Sequence, residues 1–335
     1  MRRKELDLCR LVACIFVVLT HSLGEFFWDV PLESTDFIVV MFLSSFVHGA
    51  VPLFFAISGI ILLNRERMSV KQSVQRAFRM IGLYFLWSTV YAAAHFVMGD
   101  VDSVDAFVTL VIRGHYHLWF LPAMAIYYFL LPIVHSAFHG KELNLGYMLI
   151  LLLVPVAYQT IKVFDSPNGK LYLLTQVFHM QNVAYVGYAI WGAWLDSRPM
   201  PKQMRWIASL VWLAASASAG ALNTRVSLNF GWAEGWLFDS FSVTSFLQCS
   251  AILCFFLSWK HEGSQENGFL SVLTNAAFGV YLIHPMLIGI VEKLGLIPQS
   301  LNTILRLTLL FGILVLTSFP LVILARKIPL IRKLM

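Results

Sequence analysis

Arg10 and His21 stand eleven positions apart inside an apolar run over residues 6–27 that is long enough to cross a bilayer. At about 100° per residue the pair is separated by three turns plus about 20°, so both side chains project from one helix face, about 16 Å apart along the axis. Asp7 and Glu25 fall within about 60° of Arg10 around the same helix. Ionisable groups at membrane depth are costly and mark protein interiors or wet cavities, which makes this strip a candidate active-site wall. The residue types fix the chemistry on offer. An arginine fork matches phosphate oxygens, and an imidazole that titrates near neutrality takes a proton from an attacking hydroxyl. Glu25, one turn beyond His21, has the spacing of a base–orienter pair. A plainer alternative stands beside this: Arg10 snorkels to headgroups and His21 bonds a neighbouring helix.

Further polar residues recur at membrane depth along the chain. Arg76 and Arg79, one turn apart at the start of the third span, close a basic stretch with Arg65, Arg67 and Lys71. This stretch reads as a phosphate clamp or as ordinary positive-inside topology. Ser58 and Gly59 end the second span, either as close helix packing or as a channel wall. His115, His117 and Trp119 lie near the outer face, and Tyr281 and His284 lie in the outer half of the ninth span. His21, His117 and His284, from three spans, therefore reach one depth. Gln176, His179 and Asn182 form a possible polar wall in the sixth span. The outer loop Phe230–Trp236 either stacks on sugar rings or belongs to an aromatic belt.

Composition dictates the elements that hold these residues. The chain has 335 residues, 59% of them hydrophobic and 13% charged, where a soluble domain carries about a quarter charged. Apolar windows predict an all-α polytopic membrane protein with about ten spans, near 6–27, 37–63, 78–98, 115–135, 145–163, 172–195, 206–222, 239–258, 269–291 and 301–325. Loops between them are short, so residues 1–335 read as one transmembrane domain. The start Met1-Arg2-Arg3-Lys4 resembles a signal peptide's, but no small-x-small site follows Leu19, which predicts an uncleaved first span. Lysine and arginine crowd the N-terminal tail, the loop after the second span, later alternate loops and the C-terminal tail. Both termini are accordingly expected in the cytoplasm, and this bias accounts for the net charge of +6 without a nucleic-acid partner. Four cysteines, Cys9, Cys14, Cys249 and Cys254, form neither a metal pattern nor a disulfide framework. No GxSxG, P-loop or HExxH is present.

Taken together, these motifs resemble the acyltransferase 3 family of bacterial membrane proteins over nearly the whole chain. Arg10 and His21 match its arginine-ten residues-histidine motif, and Asp7 matches a frequent aspartate three residues earlier. Arg76 and Arg79 match its R-x-x-R motif. Phe54, Phe55, Ser58 and Gly59 match a phenylalanine-rich serine-glycine end. Leu118, Trp119 and Phe120 match a leucine-tryptophan-phenylalanine stretch, and Tyr281, Leu282 and His284 a late tyrosine-leucine-x-histidine. The chain looks most like the short members that O-acetylate surface glycans such as enterobacterial common antigen, without the fused hydrolase-like domain of longer relatives.

The resemblance implies an O-acyltransferase of the bacterial inner membrane. Cytoplasmic acyl-CoA, usually acetyl-CoA, would supply the acyl group to a hydroxyl of a surface or undecaprenyl-linked carbohydrate at the periplasmic side, with no metal. Arg10, Arg76 and Arg79, with Ser58, would hold the CoA. His21 would be the general base; the role of Glu25 as its orienter is read from helix spacing and not from the resemblance. His284, His117 or Ser58 would supply oxyanion donors. His117, Trp119 and Tyr281 would face the acceptor. Direct transfer and an acyl-enzyme are both open. The rival expectation is a secondary transporter of a small polar or acylated solute; the lack of a mid-span Asp or Glu speaks against ion coupling.

Overall fold

A computed structural model describes residues 3–139, 156, 181–259 and 268–334. The chain is an all-α polytopic membrane protein: the structure is 80% helical, and no strand occurs among the described residues. Eight helical segments there are long and apolar enough to cross a membrane. Apart from residue 156, the expected span 145–163 lies outside the described residues, as do residues 172–180 of the expected span 172–195.

In chain order the helices are α1 (Lys4–Phe27), α2 (Thr35–Ser45), α3 (Ala50–Leu63), α4 (Val70–Met98), α5 (Val104–Arg113), α6 (Phe120–His139), α7 (Gln181–Asp196), α8 (Met204–Phe230), α9 (Val243–Leu257), α10 (Gly268–Lys293), α11 (Thr303–Ala325) and α12 (Pro329–Leu334). A 3-10 turn, Tyr116–Trp119, leads into α6.

Several boundaries differ from the hydropathy reading for local reasons. The third span, expected from residue 78, begins at Val70, where the Ser69 hydroxyl accepts from the Gln72 amide at 3.3 Å. Arg76 and Arg79 thus sit two turns inside a helix rather than at its start. The expected span 115–135 is resolved into the 3-10 turn and α6, because Gly114 (φ 73°) reverses the chain after α5. The expected span 37–63 is broken at residues 46–49 into α2 and α3.

Gln248 of α9 holds that break open. Its Oε1 accepts from the Gly49 amide at 3.1 Å, while Nε2 donates to the Ser45 carbonyl at 2.6 Å and to the Ser216 hydroxyl at 3.1 Å. One buried amide therefore satisfies groups that a broken helix leaves without intrahelical partners.

Lipid is as apolar as a leucine side chain, so the helices associate through close packing of small residues. α3 crosses α7 in this way. A methyl group built on Gly59 would overlap the Ala189 carbonyl, and one on Gly192 would overlap that of Ala56. Gly59 is thereby a packing residue, and the open reading of the Ser58-Gly59 pair divides between its two members.

Polar ties at one end of the bundle fix the vertical register. Arg3 donates to both Asp196 oxygens at 2.7 and 2.8 Å, and Asn64 Nδ2 donates to the same carboxylate at 3.1 Å. The start of α1 and the ends of α3 and α7 therefore meet on one face, the Arg3 end. The ends of α3 and α6 meet there too, where His135 and His139 Nε2 bond the carbonyls of Arg65 and Leu63 at 2.6 and 2.7 Å. At the opposite end Lys293 Nζ donates to the Met98 carbonyl at 2.6 Å.

Candidate functional site

The apolar face of α1 packs into the bundle, while the polar strip opens onto a cavity of about 360 Å³. Arg10, Val17 and His21 line it from α1, at the seven- and four-residue steps of one helix face. Val51, Phe54 and Ser58 form the facing wall from α3, again at helical spacing. α1 and α3 run in opposite directions, so Ser58 stands toward Arg10 and Val51 toward His21. Arg10 and His21 thus line one cavity.

At the Arg3 end Arg10 Nη1 lies 3.8 Å from Asp7 Oδ1, and Asp7 is buried. Tyr128, another lining residue, sits in the electrostatic field of Arg76, Arg10 and Arg79. Arg10 lines the cavity at this end, and Arg76 and Arg79 lie within electrostatic reach of its Tyr128 wall. Arg76 presents a buried Nη1 with no hydrogen-bond partner among the described residues, and Arg79 Nη2 donates to the Lys333 carbonyl at 3.1 Å.

At the other end the imidazoles of three separate elements come together. Ring centres lie 5.1 Å apart for His21 and His284, 5.8 Å for His117 and His284, and 6.5 Å for His21 and His117. His117 and His284 are buried, and among the described residues the Nε2 of each has no hydrogen-bond partner. The turn that delivers His117 is pinned from two sides. Tyr281 Oη donates to the His117 carbonyl at 2.8 Å, and Tyr84 Oη donates to the Ile112 carbonyl at 2.8 Å just before Gly114. Tyr281, Trp119 and Phe120 complete the wall, with Trp119 exposed at its edge.

Glu25 is placed differently from expectation. It lines a second cavity of about 460 Å³ with Asp29, Glu292 and Arg306, and its carboxyl faces that of Glu292. Among the described residues no hydrogen bond joins it to His21. The neighbours that α10 and α11 bring beside it, Glu292 and Arg306, account for this. Arg306 is itself stacked over Phe26, 5.1 Å from the ring centre. Of the expected polar wall in the sixth span, Gln176 and His179 and the side chain of Asn182 lie outside the described residues.

Sequence reasoning missed several neighbours. Thr274, Asn275 and Phe278 line the cavity from α10, and their three- and four-residue steps to Tyr281 and His284 were the available signal. His48 was also missed. It lies one turn before Val51, within electrostatic reach of His21, with Nδ1 bonded to the Ser44 carbonyl at 2.5 Å and its ring stacked on Phe238 at 4.2 Å. Nothing in the hydropathy pattern shows that the span breaks beside it. Among the described residues no group of three or more His, Cys, Asp or Glu side chains is arranged to hold a metal ion.

What the arrangement offers chemically is an anion-binding end and a proton-accepting end in a single cavity. Comparison with known proteins bears on its use. A family model described as "Acyltransferase domain", acyltransferase 3, matches residues 3–324. No curated protein and no solved structure matches the chain.

Proposed function

Because the chain belongs to the acyltransferase 3 family, and is a membrane acyltransferase in that sense, we propose that it moves an acetyl group from cytoplasmic acetyl-CoA to a carbohydrate hydroxyl. The acceptor is an undecaprenyl-linked or surface polysaccharide on the periplasmic side of the bacterial inner membrane, and His21 is the general base. The observation that carries this reading is the shared cavity, with Arg10 and His21 lining it from one helix face.

In this reading the Arg3 end is cytoplasmic. Arg65, Arg67, Arg198 and Lys202 belong to the connections there, with Lys71 and Arg205 in the first turns of the helices that follow, and the positive-inside rule orients such a face inward. Arg10, with Arg76 and Arg79 beside it, holds CoA phosphates, since guanidinium forks match phosphate oxygens in pairs. The pantetheine arm then runs past Ser58 and Phe54 over the roughly 16 Å that separates Arg10 from His21 along α1. The thioester carbonyl arrives among His21, His117 and His284, while Trp119, His117 and Tyr281 flank the acceptor.

Transfer needs one proton taken and one returned. His21 accepts the proton of the sugar hydroxyl as its oxygen attacks the thioester carbonyl carbon. A tetrahedral oxyanion forms, the C–S bond breaks, and the departing thiolate recovers the proton from the His21 imidazolium. The product is the acetyl ester and free CoA. Glu25, turned to the second cavity, has no step in this scheme. Family membership also favours acyl transfer over the transport reading.

The test is transfer of labelled acetyl from acetyl-CoA by protein in nanodiscs, with and without an undecaprenyl-linked glycan extract. Acetyl should reach the lipid-linked glycan with wild type and not with His21→Ala. A wild type that binds no acetyl-CoA, with a His21→Ala variant that complements normally in cells, would overturn the proposal.

A further inference from the structure

We propose that His284 is a positioning residue for His21: its Nε2 lone pair receives the N–H of one His21 nitrogen, leaving the other as the base that faces the cavity. This rests on the reading of His21 as general base, and it assigns the orienting role to α10 rather than to Glu25.

The tautomer of His284 follows from its backbone contact. Nδ1 lies 3.0 Å from the Val280 carbonyl, one helical turn earlier. A carbonyl can only accept, so Nδ1 carries the hydrogen, and in a neutral imidazole Nε2 is then a bare lone pair. Pro285 lies inside α10 and has no N–H, so the carbonyl four residues earlier, that of Tyr281, loses its helical donor. The His-Pro pair thus builds a helix in which the histidine is held by its own backbone.

The ring nearest to this lone pair that carries an N–H is that of His21. His284 is fully buried, and its Nε2 has no hydrogen-bond partner among the described residues. The His21 ring centre lies 5.1 Å away with the planes tilted by 38°. Two imidazoles joined by one N–H···N bond of about 2.9 Å have centres about 5 Å apart, so the rings already stand at bonding separation and a rotation of the His21 ring brings its N–H onto Nε2. His117 is farther from both rings, and its Nδ1 faces the Nδ1 of His115 at 2.9 Å. Either of those nitrogens can be the donor, so no tautomer is fixed there. A neutral, fixed acceptor is suited to a buried base. It holds His21 in one tautomer and then stabilises the imidazolium, as a carboxylate does in a hydrolase triad, without a second buried charge. It also removes neutral His284 from the oxyanion donors that the sequence suggested, because Nε2 has no hydrogen to give.

Two substitutions separate this role from a structural one. His284→Asn keeps an N–H donor for the Val280 carbonyl but loses the acceptor at the Nε2 position. His284→Gln places an amide oxygen where Nε2 was. With acetyl-CoA and the glycan extract, kcat of His284→Asn should fall about 10- to 100-fold, as expected when a reacting group is misoriented. KM for acetyl-CoA should be unchanged, and His284→Gln should restore most of the rate. An Asn variant with wild-type kcat would overturn the proposal. A second readout needs no activity: ¹⁵N spectra of histidine-labelled wild type, assigned against His284→Gln, should show protonated Nδ1 and bare Nε2 at His284. A protonated Nε2 there overturns it too. A wild type with no transfer activity, by contrast, bears on the acyltransferase reading and leaves the tautomer measurement intact.

Discussion

Arg10 and His21 line a single cavity from one face of α1, with Arg10 toward the end whose Tyr128 wall lies within electrostatic reach of Arg76 and Arg79, and His21 beside the rings of His117 and His284. The division between an anion-binding end and a proton-accepting end predicts a division in kinetics. Arg10→Ala should raise KM for acetyl-CoA by about tenfold or more, the worth of one charge-assisted pair, with a smaller change in kcat. His21→Ala should lower kcat by about 10²- to 10⁴-fold while leaving acetyl-CoA binding by calorimetry near wild type. An Arg10→Ala variant with unaltered KM and a collapsed kcat would place Arg10 in the chemistry instead.

The close crossing of α3 and α7 makes Gly59 intolerant of a single methyl group. Gly59→Ala should cost about 1–3 kcal/mol through overpacking, read as a lower unfolding midpoint in detergent. Gly24→Ala on α1 is the control. A methyl built there meets nothing within 4 Å, so its midpoint should equal or exceed wild type. Equal behaviour of the two variants would show that the crossing is not a stability determinant.

Much of this was legible before the structure, and the exceptions share a cause. The shared face of Arg10 and His21 needs only the helical period, which an apolar run of this length makes reliable. The common depth of His21, His117 and His284 followed from counting spans, and ring centres within 6.5 Å of one another are the outcome. What one helix's period cannot show is which neighbouring helix claims a side chain. Glu25 has the spacing to serve His21, yet Glu292 and Arg306 from other helices share its cavity. Gly59 and Ser58, adjacent in sequence, point to different partners for the same reason. The break at residues 46–49 is invisible to hydropathy because Gln248, two hundred positions away, satisfies its backbone.

That long-range clamp should be measurable. Gln248→Met keeps the side-chain length but leaves the Gly49 amide and the Ser45 carbonyl in a buried site without their partner. Each such group costs about 1–3 kcal/mol. The unfolding midpoint should fall, and because the break adjoins Val51 and His48, kcat should fall with it. Gln248→Glu separates the contacts, since a carboxylate still accepts from Gly49 but gives nothing to Ser45. Its midpoint should also drop below wild type. A Met variant as stable as wild type would mean that the break holds without Gln248.

Tyr281 allows positioning to be separated from chemistry at the acceptor end. Its phenol donates to the His117 carbonyl at 2.8 Å, so that hydroxyl is already engaged in holding the 3-10 turn. Tyr281→Phe keeps the ring against His117, where the centres lie 5.4 Å apart, and removes only that bond. A hydrogen bond of this kind contributes about 0.5–1.5 kcal/mol, so kcat should fall by no more than about tenfold. The loss should appear chiefly in KM for the glycan, with KM for acetyl-CoA unchanged, because the turn also carries Trp119 at the cavity edge. Were the Tyr281 hydroxyl instead a proton donor to the reacting atoms, Tyr281→Phe would cost about 10²-fold or more in kcat with both KM values intact. Initial rates across both substrates distinguish these outcomes.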